Sequence, residues 1–187
     1  MSHFLEIWLR GSTRDYLHSI STSHGEEYHP HITFARPFEI NGSEKALKNK
    51  IVNLCEGQAP IPFSLEGKGK FKDRTTHIPV IEENEKWKKP RLLEFNNRLE
   101  EELGPYVNFY QRPSKTKTLH ATVHTRGEIE PCPKINKYML RLTGINDKKE
   151  IWFSYDFVKQ AELTRKESLD KETWQMTQDN FIKSLKV

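Results

Sequence analysis

Two triplets in this sequence set an imidazole and a hydroxyl at alternate positions: His31-Ile32-Thr33 and His120-Ala121-Thr122. Each lies in a short apolar run, HITF and HATV, of the kind that forms a strand. In a strand, residues i and i+2 face the same side, about 6–7 Å apart along the chain. Two such strands side by side would aim two imidazoles and two hydroxyls into one cleft. That set could open a cyclic phosphodiester without a metal. One neutral histidine would take a proton from the attacking water. The other, protonated, would give one to the departing ribose oxygen. Imidazole suits both tasks because its pKa lies near the working pH. The threonine hydroxyls would donate to the non-bridging phosphate oxygens, which gain charge in the transition state. The triplets alone leave open which histidine is acid and which is base.

Other side chains near the triplets carry two readings each. Arg36 and Arg126 follow them and are either forked donors to flanking phosphates or exposed charges at strand ends. His124 shares strand parity with His120 and Thr122. It either faces the cleft and positions substrate phosphate, or stands in solvent where the strand ends. His29 precedes Pro30, which favours extended backbone and places it near His31. His29, His31, His120 and His124 thus form a candidate zinc cluster. No cysteine or carboxylate stands at a familiar metal spacing, so neither a metal nor a cofactor is expected. Tyr28, Phe38, Tyr110 and Trp152 could stack an unpaired base, or lie in core and rim. Lys115 and Lys117 could meet an RNA backbone, or belong to a solvated loop.

These residues need strands and helices to hold them. The pattern predicts strands at Phe4–Leu9, His31–Phe34 (ended by Arg36-Pro37), Ile61 towards Phe71, His77–Ile81, Val107–Tyr110 and Leu119–His124. Gly67 and Gly69 within the third suggest a bulge or a close backbone approach. Residues 12–22 carry a weak helical pattern. A helix runs from the Ser43 cap through Ala46, Leu47, Ile51, Leu54 and Cys55 to Gly57. Another opens at Pro90 and repeats Leu92, Phe95, Leu99 and Leu103 before Gly104. Tyr138–Leu142 and Ile151–Val158 read as two strands joined by a Gly-Ile-Asn-Asp turn. A helical tail of about 164–187 starts at a Thr164/Glu167 capping box, with Trp174, Phe181 and Leu185 on its apolar side.

With 187 residues the chain fits one domain, and it can bury a core without disulfides. Cys55 and Cys132 show no metal or redox spacing and fit a reducing compartment. There is no leader-like N-terminus and no apolar run of membrane-spanning length, so a cytoplasmic chain, not tied to a membrane, is expected. The net charge of +4 permits a polyanionic partner without demonstrating one. The order strand, HxT, helix, strand in the first half is echoed by strand, helix, strand, HxT in the second.

HPHITFAR, with HATVHTR downstream, resembles the paired HxT motifs of the two-histidine (2H) phosphoesterase superfamily, the LigT-like or 2′-5′ RNA ligase-like proteins. Phe63-Ser-Leu-Glu-Gly-Lys-Gly-Lys-Phe71 is similar to the strand after the first motif's helix in that family. The resemblance runs from about residue 3 to 125. It implies a bilobed α/β (α+β) fold: two pseudo-symmetric antiparallel sheets flanked by helices, with a central cleft. It implies cyclic phosphodiesterase activity or RNA end processing; the expectation is a metal-independent hydrolase acting on 2′,3′-cyclic phosphate of RNA ends or nucleotides, working as a monomer. By that resemblance His31 and His120 are the acid/base pair, and Thr33 and Thr122 hold phosphate. A 2′-5′ ligase or end-processing enzyme with the same site, or a non-catalytic RNA-end binder, stay open. The sequence departs from the pattern after residue 126, where a hairpin and a C-terminal helix stand in place of the expected helix.

Overall fold

The structure is a computed structural model that describes residues 1–21, 29–70, 76–82, 91–112, 118–123 and 128–186. Its frame is an antiparallel sheet that carries both HxT triplets near its middle. The first half supplies β1 (His3–Trp8), β2 (His31–Ile40), β3 (Ile61–Gly67) and β4 (Gly69–Lys70). β5 (Thr76–Ile81), β6 (Val107–Phe109) and β7 (His120–Val123) follow, then β8 (Cys132–Met139), β9 (Arg141–Asn146), β10 (Ile151–Asp156) and β11 (Ala161–Glu162). The hydrogen-bonded order is β11-β10-β9-β1-β2-β7-β5-β3-β8, with β4 on β5 and β6 on β2. The two expected sheets are thus joined into one path. They meet where β2 pairs with β7, through Ile32 and Ala121.

One face of the central strands is apolar and buried. Leu5, Ile7, Ile32, Phe34, Ile78, Ala121 and Val123 belong to one core cluster. Ile32 and Ala121 are 0% exposed, so the seam between the halves is also part of the core. Truncating a buried aliphatic such as Ile32 to alanine costs about 2–5 kcal/mol. Helix α1 (Ser12–Ile20) buries Thr13 and Leu17. Helix α2 (Glu44–Cys55) buries Leu47, Ile51 and Cys55 at helical spacing, and Ser43 caps it by accepting from the Ala46 N–H at 3.3 Å. Helix α3 (Arg91–Leu103) turns Leu92, Phe95, Leu99 and Leu103 inward and lies against β2 and β3. The proposed helix start at Pro90 lies outside the described residues.

Four sequence expectations need correction. β2 does not end at Arg36-Pro37 but continues to Ile40. The pairing with β1 is irregular between Ala35 and Phe38, so the missing N–H of Pro37 falls where the ladder is already interrupted. Tyr138–Leu142 is not one strand. The chain breaks at Leu140, ending β8 at one edge of the sheet and starting β9 beside β1. The reversal after β9 falls at 147–150, because Gly144, Ile145 and Asn146 still pair with β1. The helical tail is two helices, α4 (Arg165–Leu169) and α5 (Lys171–Ser184). The Thr164/Glu167 capping box opens the first. Asp170 ends it with extended backbone and caps the second through the Thr173 N–H.

The expected bulge near Gly67 is present. Its φ is +76°, and the β3–β8 register shifts between Leu65 and Gly67. No helix among the described residues is long and apolar enough to cross a membrane.

Candidate active site

Strand pairing decides what surrounds each triplet. Residues directly across a ladder face the same side. On the β1–β2 ladder, Glu6 stands across from Thr33 and Trp8 from His31. On the β5–β7 ladder, His77 stands across from Thr122 and Pro79 from His120. The Ile32–Ala121 pair acts as a local two-fold between them. Its antiparallel register brings His31 towards Thr122 and Thr33 towards His120. Both triplets keep the half-buried, buried, half-buried rhythm of a strand with one face in the core. The four expected side chains are therefore brought together on one face, and Glu6 and His77 hold equivalent places beside them.

The His31 half is built around a carboxylate. Glu6 is 3% exposed, and a buried carboxylate needs donors. The Trp8 indole N–H donates to its Oε2 at 3.0 Å. His29 Nε2 lies 3.2 Å from the same oxygen, and His31 Nε2 lies 3.4 Å from Oε1. His31 Nδ1 is 2.9 Å from the His29 carbonyl, which can only accept, so Nδ1 carries a proton. Both ring nitrogens of His31 thus face oxygen atoms, of Glu6 and of the His29 carbonyl. Trp8 also lies 4.7 Å from the His29 ring, closing that wall.

In the His120 half, the described neighbour is a second imidazole. The His77 ring meets the His120 ring edge-on at 5.2 Å. Burial lowers the pKa of His120. The Thr118 carbonyl, 3.2 Å from Nδ1, pulls it partly back up, and the charges of His77 and His31 lower it further. With Nδ1 donating to that carbonyl, Nε2 bears the lone pair of the neutral ring. Burial lowers the pKa of His77 as well. Gly69, paired with His77, lets its ring approach: a Cβ there would sit 2.4 Å from His77 Nε2. The close backbone approach expected at Gly69 is this one.

Of the remaining candidates, the structure describes Arg36, Phe38, Tyr110 and Trp152. Arg36 is drawn to α3: its Nε donates to Glu100 Oε2 at 2.9 Å and its backbone N–H to Oε1 at 2.7 Å. Its guanidinium lies 4.2 Å from the Phe109 ring centre. Phe38 is 0% exposed and packs with His3, Phe109 and Trp152 in an aromatic cluster, which makes it core. Tyr110 is exposed. His124, Arg126, Tyr28, Lys115 and Lys117 lie outside the described residues.

As for metals, the ligand atoms of Glu6, His29 and His31 lie within 4.8 Å of one another. Of the four histidines considered above, this set holds His29 and His31, joined by a buried carboxylate, and His124 lies outside the described residues. It is chemically able to hold a divalent cation, and equally describes a carboxylate satisfied by two imidazoles and an indole. Sequence reasoning passed over Glu6 and His77. Neither stands in a motif, and only strand register reveals them.

A model of the 2′-5′ RNA ligase superfamily matches residues 13–149. No curated protein matches the chain. Among solved structures, TT0787 of Thermus thermophilus is similar, with 15% identity and a TM-score of 0.54, covering 84% of this chain and 98% of that one. E. coli LigT complexed with 3′-AMP is similar at 13% identity and a TM-score of 0.50, covering 76% of this chain and 85% of that one. Both share the fold type of this chain, a large antiparallel sheet flanked by helices. Two HxT strands meeting at the middle of such a sheet, together with the family match over most of the chain, lead to one assignment: the chain belongs to the 2′-5′ RNA ligase superfamily, the two-histidine phosphoesterases.

Proposed function

We propose that the protein is a metal-independent phosphodiesterase that opens 2′,3′-cyclic phosphate at RNA ends or on nucleotides, with His120 as general base and His31 as general acid. Water attacks phosphorus while His120 Nε2 takes its proton. The ribose oxygen leaves with the proton from His31 Nε2, and the product is a phosphomonoester with one free hydroxyl. Thr33 and Thr122 donate to the non-bridging oxygens as charge builds there. The observation that carries the assignment is the unequal surroundings of two equivalent imidazoles. Burial and like charge favour the neutral ring at His120, whereas His31 has the Glu6 carboxylate and the His29 carbonyl at its two ring nitrogens. That a fold relative holds 3′-AMP supports a nucleotide 3′ end as the ligand.

The test is turnover of a short RNA ending in 2′,3′-cyclic phosphate, with chelator present, for wild type and His120→Ala. Turnover by wild type alone is expected, and the position of the product phosphate identifies the oxygen that leaves. Loss of wild-type activity on adding chelator would replace this mechanism with a metal-assisted one at Glu6, His29 and His31. Accumulation of a 2′-5′ linkage from two RNA ends would make the same pair a ligase.

A further inference from the structure

The C-terminal helix does something the paired triplets do not explain. α5 lies beyond the 13–149 family match. It is tied down at one point by a buried network. Arg141 Nε donates to Asp156 Oδ2 at 3.1 Å, while its Nη2 donates to Thr177 Oγ1 at 2.6 Å and to the Thr173 carbonyl at 2.9 Å. From that anchor, Trp174, Gln178, Phe181, Ile182 and Leu185 follow one helical face and do not enter the core. They roof a cavity of about 230 Å³ whose floor and far wall are the end of β1 and the middle of β8.

Three features of the cavity point to one class of ligand. Four aromatic side chains line it, Trp8, Tyr138, Trp174 and Phe181, with the Tyr138 and Phe181 rings 4.6 Å apart and tilted at 59°. The two charged residues lining it, Arg10 and Lys137, are both cations. Arg10 lies between Trp8 and Trp174, 5.0 and 5.2 Å from their ring centres, and burial beside Arg141 and Arg14 lowers its pKa to about 10. Burial lowers that of Lys137 too. Cations short of solvation among flat rings suit an anion that carries an aromatic group. Finally, the cavity adjoins the reacting face, because Trp8 belongs to its wall and stands directly across from His31.

We propose that the cavity beneath α5 is a subsite for the nucleotide on the 5′ side of the reacting RNA terminus, its base against the aromatic wall and its phosphate towards Arg10 and Lys137. This rests on the phosphodiesterase reading, and it makes the enzyme prefer an oligonucleotide end over a mononucleotide.

Two measurements test it. The first is the ratio of kcat/KM for a dinucleotide 2′,3′-cyclic phosphate to that for adenosine 2′,3′-cyclic phosphate. Wild type should favour the dinucleotide through KM, and Phe181→Ala should reduce the ratio about tenfold. Tyr138→Ala, a substitution in β8 and outside α5, should do the same. A wild-type ratio near one, or equal losses on both substrates in both variants, overturns the subsite. The second needs no turnover. The Trp174 indole N–H signal, identified by its absence in Trp174→Phe, should shift on titration with a dinucleotide 3′-phosphate at concentrations where 3′-AMP leaves it in place. No shift with either overturns the subsite. A shift in a protein that shows no turnover keeps the subsite and removes the catalytic reading.

Discussion

The two HxT strands carry the same chemistry-bearing residues yet stand in different company. Across from Thr33 is a buried carboxylate that gathers an indole and two imidazoles. Across from Thr122 is His77, whose ring lies against His120 and against the bare backbone of Gly69. A near two-fold arrangement thus gives two equivalent imidazoles different neighbours, and the proposed acid and base roles rest on that difference. On the proposed reading, the motif supplies the imidazole, and the residue across the ladder from the motif's threonine tunes it.

The sharpest way to break the comparison is to remove either imidazole. His31→Ala and His120→Ala should each lower kcat/KM by about a thousandfold, since each proton transfer contributes roughly 10²–10⁴. Thermal unfolding should show both variants folded. A variant keeping more than a tenth of wild-type activity would mean that its histidine is not a proton donor or acceptor. Next in size is the carboxylate. Glu6→Gln should lower kcat by about tenfold or more, because an amide cannot complement a protonated ring as a carboxylate does. Equal rates for Glu6→Gln and wild type would remove Glu6 from the mechanism.

A subtler test concerns the His120 half. His77→Phe removes a like charge from beside His120, so the acid limb of kcat/KM against pH should move up by a few tenths of a unit. Gly69→Ala should disturb the same limb by pushing the His77 ring aside, since the added Cβ would fall 2.4 Å from Nε2. An unmoved limb in both would show that burial alone sets the base.

The smallest effect is on stability. His3, His77 and His120 all have folded pKa values below the ordinary histidine value of 6.5, chiefly through burial. The unfolded chain therefore binds these protons more readily. Stability contributed by keeping the rings neutral is present above about pH 6.5 and is lost as pH falls through that value. Melting temperatures measured from pH 8 to pH 5 should decline, and less steeply in His77→Phe.

How much of this the sequence revealed depended on distance along the chain. His31, Thr33, His120 and Thr122 were readable because strand parity is local: the i, i+2 spacing alone puts each pair on one side. The Ser43 cap, the Thr164/Glu167 box and the α3 stripe were readable for the same reason. Glu6 and His77 were not, since their roles come from register between strands far apart in sequence. Arg36 looked like a phosphate ligand because it follows the motif, but Glu100 of α3 claims it across a tertiary contact. The break at Leu140 hid within a continuous apolar run, where only the pairing partners change.

The seam between β2 and β7 has a consequence for how the molecule comes into being. Strands running in opposite directions give each imidazole a hydroxyl from the other half as its neighbour across the seam, around the single pair Ile32 and Ala121. A fragment ending before His120 owns one complete triplet and no centre, so prematurely terminated or proteolytically nicked products should be silent, never partly active. During synthesis, the centre first exists when β7 leaves the ribosome and docks on a strand made nearly ninety residues earlier.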